Sequence, residues 1–283
     1  MALQFIKNLS GHSGCGIKLY KQDDTFIVRK DAGDKAYNRR LKKQYFKQNS
    51  FSCLSIKTPK LLNSGYIDDV FYFDMDFVQA RTLSSIFQTI KINDIDTYIR
   101  LLFENLDVKI PAYTENAKAI FQTKIEELDV QIKDKSPLVE NAFSSLKSFD
   151  FSRITPSNCH GDLTLENILL SASKEIYLID FLDSFYDSWL IDVAKLLQDL
   201  ELAWSYRYIE KDFNLNLRLS TAKGVLLAKI MSLPCGIEHL KSVYMLLLLN
   251  VVRIIPYAKD DVTKNFIEES IAKILTINKE FYL

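Results

Sequence analysis

The sequence has few of the residues that build metal clusters or disulfide frameworks. It contains three histidines and four cysteines in 283 residues, and the cysteines, Cys15, Cys53, Cys159 and Cys235, form no C-x-x-C pair. A zinc site needs several such ligands, so the chain has few residues that could form one. Isolated thiols are typical of a reducing compartment. The N-terminus lacks a long apolar stretch followed by small residues, and we therefore predict a cytoplasmic protein without a signal peptide.

The sequence also lacks an excess charge and a long hydrophobic run. Lysine plus arginine and aspartate plus glutamate number 36 each, whereas a nucleic-acid-binding protein normally shows a basic excess. The longest apolar run, residues 243–252, is interrupted by Asn250. A membrane-spanning helix needs about 20 apolar residues. We therefore predict a buried helix of a soluble protein that binds neither nucleic acid nor membrane; the oligomeric state is left open.

Hydrophobic residues make up 48% of the chain and aromatic residues 12%, which excludes a disordered protein. β-branched and aromatic runs predict strands at residues 17–20, 25–28 and 70–77, with one basic helix at 36–48. From residue 81 onward the apolar positions have helical spacing. The chain is therefore predicted to be an α+β protein with two lobes. A small antiparallel-sheet lobe with one helix covers residues 1–78, and a larger, mostly helical lobe covers residues 79–283.

The segment that indicates chemistry is residues 159–167, C-H-G-D-L-T-L-E-N, followed by turn residues and a strand that ends at Asp180. The returning strand is expected to bring Asp180 beside Asn167, and two oxygen ligands together are suited to Mg²⁺. Asp162 is then available to accept a proton from an attacking hydroxyl. Taken alone, Asp162 is equally well explained as a loop aspartate that caps a helix. The joint pattern is much less easily produced by chance.

This segment resembles the catalytic and metal-binding loops of the aminoglycoside phosphotransferase and choline kinase family, small-molecule kinases related in fold to protein kinases. The resemblance implies a protein-kinase-like fold in which Asp162 is the catalytic base and Asn167 and Asp180 hold Mg²⁺. It also implies a structural role for His160 within the loop. The H-G-D form, in place of H-R-D, indicates the small-molecule branch.

A second resemblance covers residues 187–196, D-S-W-L-I-D-V-A-K-L, which are similar to the family's G-D-P-x-x-D-L-A stretch. It implies that Asp192 accepts hydrogen bonds from the backbone of the catalytic loop and is a structural support. We expect the acceptor site between this loop and the helices after Leu196, with residues 198–201 supplying polar groups. Trp204 is more simply explained as a core residue.

The N-terminal part is expected to bind the nucleotide. Three of the eight glycines fall within residues 11–16, and Gly14 and Gly16 are predicted to cover the phosphates with backbone N–H groups. The cation for the phosphates is Arg29 or Lys30. Side chains alternate along a strand, so only one of them can point into the cleft, and the alignment of apolar residues slightly favours Arg29.

Residues 71–78 resemble the family's hinge, which implies that Asp76 and Val78 bind the adenine edge through their main chain. The helix at 36–48 departs from the family pattern because it contains no acidic residue to pair with the cation. Gln44 is the nearest substitute.

The resulting hypothesis is an ATP- or GTP- and Mg²⁺-dependent phosphotransferase. Its acceptor would be a hydroxyl of a sugar, an amino sugar, an aminoglycoside or a choline-like compound, with surface polysaccharide synthesis as one possible setting. The alternative is a pseudokinase, a nucleotide-binding regulatory protein without turnover. A protein side chain as acceptor is disfavoured by the H-G-D form.

Overall fold

The computed structural model describes residues 3–9, 15–53 and 55–281. The predicted phosphate-binding residue Gly14 lies outside these residues. The chain divides into two compact units, one that runs to Leu83 and includes Asn167–Asp183, and one formed by Ser84–Glu166 and Ser184–Leu283. The boundary between the two functional lobes, placed after residue 78 from the sequence, stays a prediction. The compact units differ from it in grouping Asn167–Asp183 with the N-terminal residues.

Among its described residues, the first unit contains a five-stranded antiparallel sheet and one complete α-helix. In sheet order the strands are β1 (Gln4–Asn8), β2 (Gly16–Gln22), β3 (Thr25–Asp31), β6 (Val70–Asp76) and β5 (Leu61–Ile67), and the helix is α1 (Asn38–Ser50). The apolar side of the sheet packs on α1, where Leu41 is fully buried together with Phe71 and Phe73. This sheet with a single α-helix confirms the architecture predicted for the N-terminal part.

A second, smaller sheet also lies in the first unit. Its order is β4 (Ile56–Lys57), β9 (Ile176–Leu178), β8 (Ile168–Ser171) and β7 (Ala80–Thr82). β8 and β9 form an antiparallel hairpin, whereas β4 and β9 are parallel. The hairpin turn contains Lys174 with a φ of 64°.

The second unit is mostly helical. Its helices are α2 (Leu83–Phe87, which begins at the last residue of the first unit), α3 (Ile92–Glu104), α4 (Glu115–Gln131), α5 (Pro137–Ser148), α6 (Trp189–Leu200), α7 (Phe213–Met231), α8 (Gly236–Val252) and α9 (Asp261–Glu280). The α+β class is therefore confirmed.

Three helices of the second unit start with a side-chain cap, supplied by Ser136 to α5, Asp212 to α7 and Asp260 to α9. Ser136 accepts a hydrogen bond from the Val139 N–H at the start of α5, directly before Pro137. The N-cap of helix α3 is Lys91, whose side chain makes no capping hydrogen bond. Asp94 lies in the first turn of α3, where the helix dipole favours an acidic side chain.

Helix α8 contains the apolar run noted in the sequence. Among the described residues, the stretch Gly236–Tyr257 is long and apolar enough to cross a membrane by length and composition, but 67% of its apolar window is buried inside the protein. α8 packs against α6, α7 and α9. Such burial is expected of a core helix.

Candidate active site

The predicted catalytic loop lies in the second unit and is fixed by α6. The backbone N–H groups of His160 and Gly161 both donate to the Asp192 carboxylate at 2.7 Å. Gly161 has a φ of 90°, a conformation that favours glycine. The Asp162 N–H donates to Nδ1 of His160 at 3.2 Å. Asp192 and His160 therefore both contact the backbone of the predicted catalytic loop, and their role as structural support stays a prediction.

A second carboxylate of α6 holds the other end of the same loop. Asp199 accepts hydrogen bonds from the N–H of Leu165 at 2.7 Å and from the N–H of Ser205 at 2.8 Å. Burial raises its pKa to about 6, although the hydrogen bonds act in the opposite direction. Asp192 and Asp199 are seven residues apart, which places them on one face of the helix. The acid spacing within an apolar helix is the sequence signal that could have identified this second anchor.

The assignment of residues 198–201 to the acceptor site is wrong, because Asp199 and Glu201 are both turned inward. The Glu201 carboxylate is buried and contacts Lys223 at 3.1 Å, Lys273 at 2.7 Å and the Tyr244 hydroxyl at 3.1 Å. Burial favours the neutral acid, but the two lysines together lower the pKa of Glu201. Neither carboxylate is therefore available to an acceptor.

Trp204 differs from the expected core residue because it is half-buried. The guanidinium of Arg207 lies 3.8 Å from its ring centroid, and the Phe266 ring approaches it edge-on at 5.5 Å. These contacts fix the indole at the edge of the helical unit.

The Asp162 carboxylate forms an ion pair with Lys195 of α6, with 3.0 Å between Lys195 Nζ and Asp162 Oδ1. The Lys195 side chain is 13% exposed and that of Asp162 is 28% exposed. Every other residue of α6 is buried. Solvent therefore reaches this helix at the residue that contacts the predicted base.

In the first unit, Lys30 is held between two polar side chains. Its ammonium group contacts the Asp180 carboxylate and donates to Oε1 of Gln44 at 2.9 Å. Lys30 and Gln44 are both buried. Gln44 of α1 thus contacts the Lys30 ammonium, as expected from the sequence of a substitute for the missing acidic residue.

Arg29 lies on the opposite face of β3, as strand alternation requires. Its guanidinium forms two hydrogen bonds to the Asp74 carboxylate, at 2.7 and 2.8 Å. It is also close to two aromatic rings, with 5.3 Å to the Tyr20 centroid and 4.1 Å to the Tyr72 centroid. Because Asp74 already binds Arg29 in this way, the geometry favours Lys30 over Arg29 for the phosphates.

The β8–β9 hairpin brings the two predicted metal ligands together. The Ile179 N–H donates to the Asn167 carbonyl at 3.1 Å, so Asn167 and Asp180 flank the same end of the hairpin. Asp180 has a φ of 61°, a left-handed conformation that Asp and Asn tolerate better than most residues. An amide oxygen and a carboxylate fit Mg²⁺, which usually takes one or two protein ligands and completes its shell with phosphates and water.

The predicted hinge follows β6. The Asp76 N–H donates to the Lys60 carbonyl at 2.9 Å and the Phe77 N–H donates to the Phe26 carbonyl at 3.1 Å. These two N–H groups are thus used within the sheet. The carbonyl groups of these residues and the main chain of Val78 are the remaining candidates for binding a base.

Gly16, the predicted phosphate-covering residue that the structure does describe, begins β2. A Cβ at this position would lie 2.5 Å from a carboxylate oxygen of Asp31. The Asp31 carboxylate is in turn held by Lys18 at 2.9 Å. A side chain at Gly16 would therefore displace the Asp31 carboxylate from its present position, whatever the role of Gly16 towards phosphates.

A cavity of about 530 Å³ adjoins the chain just before the catalytic loop. It is lined by carboxylate, amide and hydroxyl groups and by aromatic side chains, among them Asp107, Asn116, Asn158, Ser184 and Phe185. Asp107 accepts a hydrogen bond from the Asn158 N–H at 3.0 Å, which ties the cavity wall to the loop.

Part of the chain is similar to a known protein family. Residues 110–223 match the model of the phosphotransferase enzyme family, and this range includes Asp162, Asn167, Asp180 and Asp192. No protein among the curated sequences matches the chain.

Solved structures of kinases have the same fold. A thermostable mutant of aminoglycoside phosphotransferase APH(4)-Ia is 14% identical, with a TM-score of 0.65 over 97% of this chain and 95% of that one. Choline kinase LicA from Streptococcus pneumoniae is 14% identical, with a TM-score of 0.53 over 98% and 94%. A putative fructosamine-3-kinase from Haemophilus somnus 129PT is 14% identical, with a TM-score of 0.54 over 96% and 92%. At this identity the structures show the fold alone.

The family match and the fold together confirm the resemblance to the aminoglycoside phosphotransferase and choline kinase family and the kinase-like fold predicted from it. The predicted class of enzyme, a small-molecule kinase that phosphorylates a hydroxyl group, is confirmed with them.

Proposed function

We propose that this protein transfers the γ-phosphate of ATP or GTP to a hydroxyl of a small polyhydroxylated compound, with Asp162 as the general base. The observation that carries the proposal is the contact of Lys30 with Asp180 and Gln44. A nearly buried ammonium beside a carboxylate at the end of a hairpin provides a group for phosphates and a ligand for a divalent cation in one place.

On the nucleotide side, Lys30 would bind phosphate oxygens while Asn167 and Asp180 would hold Mg²⁺. When bound, Mg²⁺ supplies positive charge that neutralises the phosphates and orients them. The main chain of Asp76 and Val78 would bind the base, and Gly16 would contact the phosphates through its backbone. The APH(4)-Ia enzyme has been solved with ADP and hygromycin B, which supports a nucleotide donor and a hydroxyl-bearing acceptor for this fold.

On the acceptor side, Asp162 would accept the proton of the attacking hydroxyl. The acceptor oxygen forms a bond to the γ-phosphorus, and the bond between that phosphorus and the bridging oxygen of the nucleoside diphosphate breaks. Asp192, Asp199 and His160 hold the loop that carries the base. General-base catalysis of this kind contributes about 10²–10⁴-fold to a rate.

The cavity beside Asn158 is the candidate site for the rest of the acceptor. Its volume of about 530 Å³ lies in the usual range for small-molecule pockets. Carboxylate, amide and hydroxyl groups can exchange several hydrogen bonds with vicinal hydroxyls, and Phe185 offers an apolar ring face. This lining favours a sugar or an amino sugar as the acceptor.

The proposal is tested by following labelled phosphate from ATP and GTP, with Mg²⁺, to a panel of sugars, amino sugars, aminoglycosides and choline. Asp162→Asn is compared with the wild type, and nucleotide binding is measured on the same samples. We expect transfer to one class of acceptor, a loss of about 10²–10⁴-fold in the variant and unchanged nucleotide binding. Unchanged turnover in Asp162→Asn would remove this residue from the mechanism.

The pseudokinase alternative draws on the missing acidic residue of α1. In the structure, however, Gln44 contacts Lys30 in place of that acid, and the ammonium is held without it. Nucleotide binding without transfer to any member of a broad acceptor panel would favour the pseudokinase. Failure to bind either nucleotide would contradict both alternatives.

A further inference from the structure

We propose that Lys195 is a positioning residue for the catalytic base, a role that rests on the function proposed for Asp162. Its ammonium lies 3.0 Å from Asp162 Oδ1 and orients the carboxylate through that contact. Asp192 and Asp199 hold the backbone of the catalytic loop, and Lys195 holds its reactive side chain. One face of α6 would thus fix both the path of the loop and the direction of the base.

Burial of Lys195 has no evident structural purpose. All the other residues of α6 are buried, and its own side chain is only 13% exposed. Desolvation of an ammonium and a carboxylate often cancels their attraction, so two apolar residues in place of Lys195 and Asp162 would stabilise the fold at least as well as the pair does. A lysine at this position is therefore better explained by its charge beside Asp162 than by packing.

The charge has a consequence during the reaction. A general base must approach the reacting hydroxyl to about 2.6–3.2 Å, so an acceptor hydroxyl bound to Asp162 Oδ1 would lie within about 6 Å of Lys195 Nζ. When Asp162 takes the proton its negative charge disappears, and a phosphate ester forms on that same oxygen. The ammonium then lies close to the negatively charged phosphate ester. Their attraction lowers the energy of the state after transfer.

The carboxylates of α6 and of the residue that follows it are already bound to other partners. Asp192 binds two backbone N–H groups, Asp199 binds two others, and Glu201 is paired with Lys223 and Lys273. Lys195 is the cation of α6 that contacts the base. Its removal should therefore affect the chemical step and leave the fold and the nucleotide site intact.

The test replaces Lys195 by methionine and by arginine. For Lys195→Met we expect kcat to fall about 10- to 100-fold, with the nucleotide KM within about twofold and a modest loss of thermal stability because Asp162 loses its ion-pair partner. Lys195→Arg, which keeps the charge, should recover a measurable part of kcat. Lys135→Met is the matched control, since Lys135 is 18% exposed and pairs with Asp129 at 3.1 Å on α4, remote in sequence from the loop. This control should leave kcat unchanged.

A double variant tests whether Lys195 acts through Asp162. If it does, Lys195→Met combined with Asp162→Asn should be no slower than Asp162→Asn alone. Transfer is followed to the acceptor panel and to water in the same samples. Multiplicative losses in the double variant, or a Lys195→Met kcat within twofold of wild type, would overturn the role of Lys195 and leave the proposed function standing. Full transfer by Asp162→Asn, or no transfer by the wild type to any acceptor or to water, would overturn both.

Discussion

At the scale of single residues, the predicted catalytic loop is held by side chains of α6 that the loop motif does not reveal. The H-G-D triplet leads to the prediction that Asp162 is the base, because the residue type and its spacing from the rest of the joint pattern are specific. Asp199 and Lys195 follow later in a run of apolar residues, where an acid or a lysine can equally face solvent. Only the packing of α6 shows that both side chains turn towards the loop.

The choice between Arg29 and Lys30 shows a different limit of the sequence. Alternation along β3 indicates that the two side chains lie on opposite faces, but not which face holds the nucleotide. That decision depends on Asp74 and Asp180, which lie 45 and 150 residues further along the chain from Arg29 and Lys30 respectively. Pairings at such separations are set by tertiary structure.

The raised pKa of Asp199 predicts how stability depends on pH. Burial raises it to about 6, above the value of about 3.9 in an unfolded chain, so the folded state binds more protons between these values. The contribution of Asp199 to the free energy of unfolding therefore falls as pH rises from about 4 through 6, by about 3 kcal/mol. In Asp199→Asn this slope should disappear.

The measurement is urea unfolding of the wild type and Asp199→Asn at intervals from pH 4 to 7. A constant loss at all pH values is expected in addition, because an amide can accept only one of the two N–H groups. Parallel pH profiles for the two proteins would show that Asp199 does not titrate in this range.

At the scale of secondary structure, local sequence patterns are sufficient to predict an element that is long enough to show a pattern of its own. The predicted strands at 17–20 and 25–28 lie within β2 and β3, and the predicted helix at 36–48 overlaps α1, which follows a short 3₁₀ turn. The two-residue strand β4 carries too little pattern to be recognised. It exists because Ile56 pairs in parallel with Ile176, a partner 120 residues away.

The connection between α7 and α8 provides a prediction about two glycines. A Cβ on Gly236 would lie 2.8 Å from backbone atoms of Met231, whereas a Cβ on Gly224 would meet nothing within 4 Å. We expect Gly236→Ala to lower the free energy of unfolding by about 1–3 kcal/mol. Gly224→Ala, its matched control on α7, should raise it by about 0.5–1 kcal/mol.

Thermal and urea unfolding of both variants check this pair. Equal effects of the two substitutions would contradict the close approach of the two helix ends. The comparison needs no substrate and is therefore independent of the proposed function.

At the scale of the whole molecule, nucleotide binding should appear as a gain in thermal stability, since a ligand that binds only the folded state stabilises it. We expect ATP or GTP to raise Tm further when Mg²⁺ is added, and Asp180→Asn to lose that additional increase. Asparagine is chosen because the left-handed φ of 61° at Asp180 tolerates it.

The matched control for this prediction is Asp183→Asn, since Asp183 is paired at the surface with Lys43 at 3.1 Å. Differential scanning fluorimetry with nucleotide alone and with nucleotide plus Mg²⁺ separates the two contributions. An equal Mg²⁺ increment in Asp180→Asn and wild type would show that the metal is held elsewhere.

The two anchors on α6 also determine where the chain can change in length. Asp192 and Asp199 reach the two ends of one loop because seven residues make almost two turns, a rise of about 10.5 Å. One residue inserted between them would rotate the second anchor by about 100° around the helix and leave Leu165 without its acceptor. Insertions and deletions within α6 should therefore not be tolerated, because the length of this helix sets the spacing between the two ends of the loop.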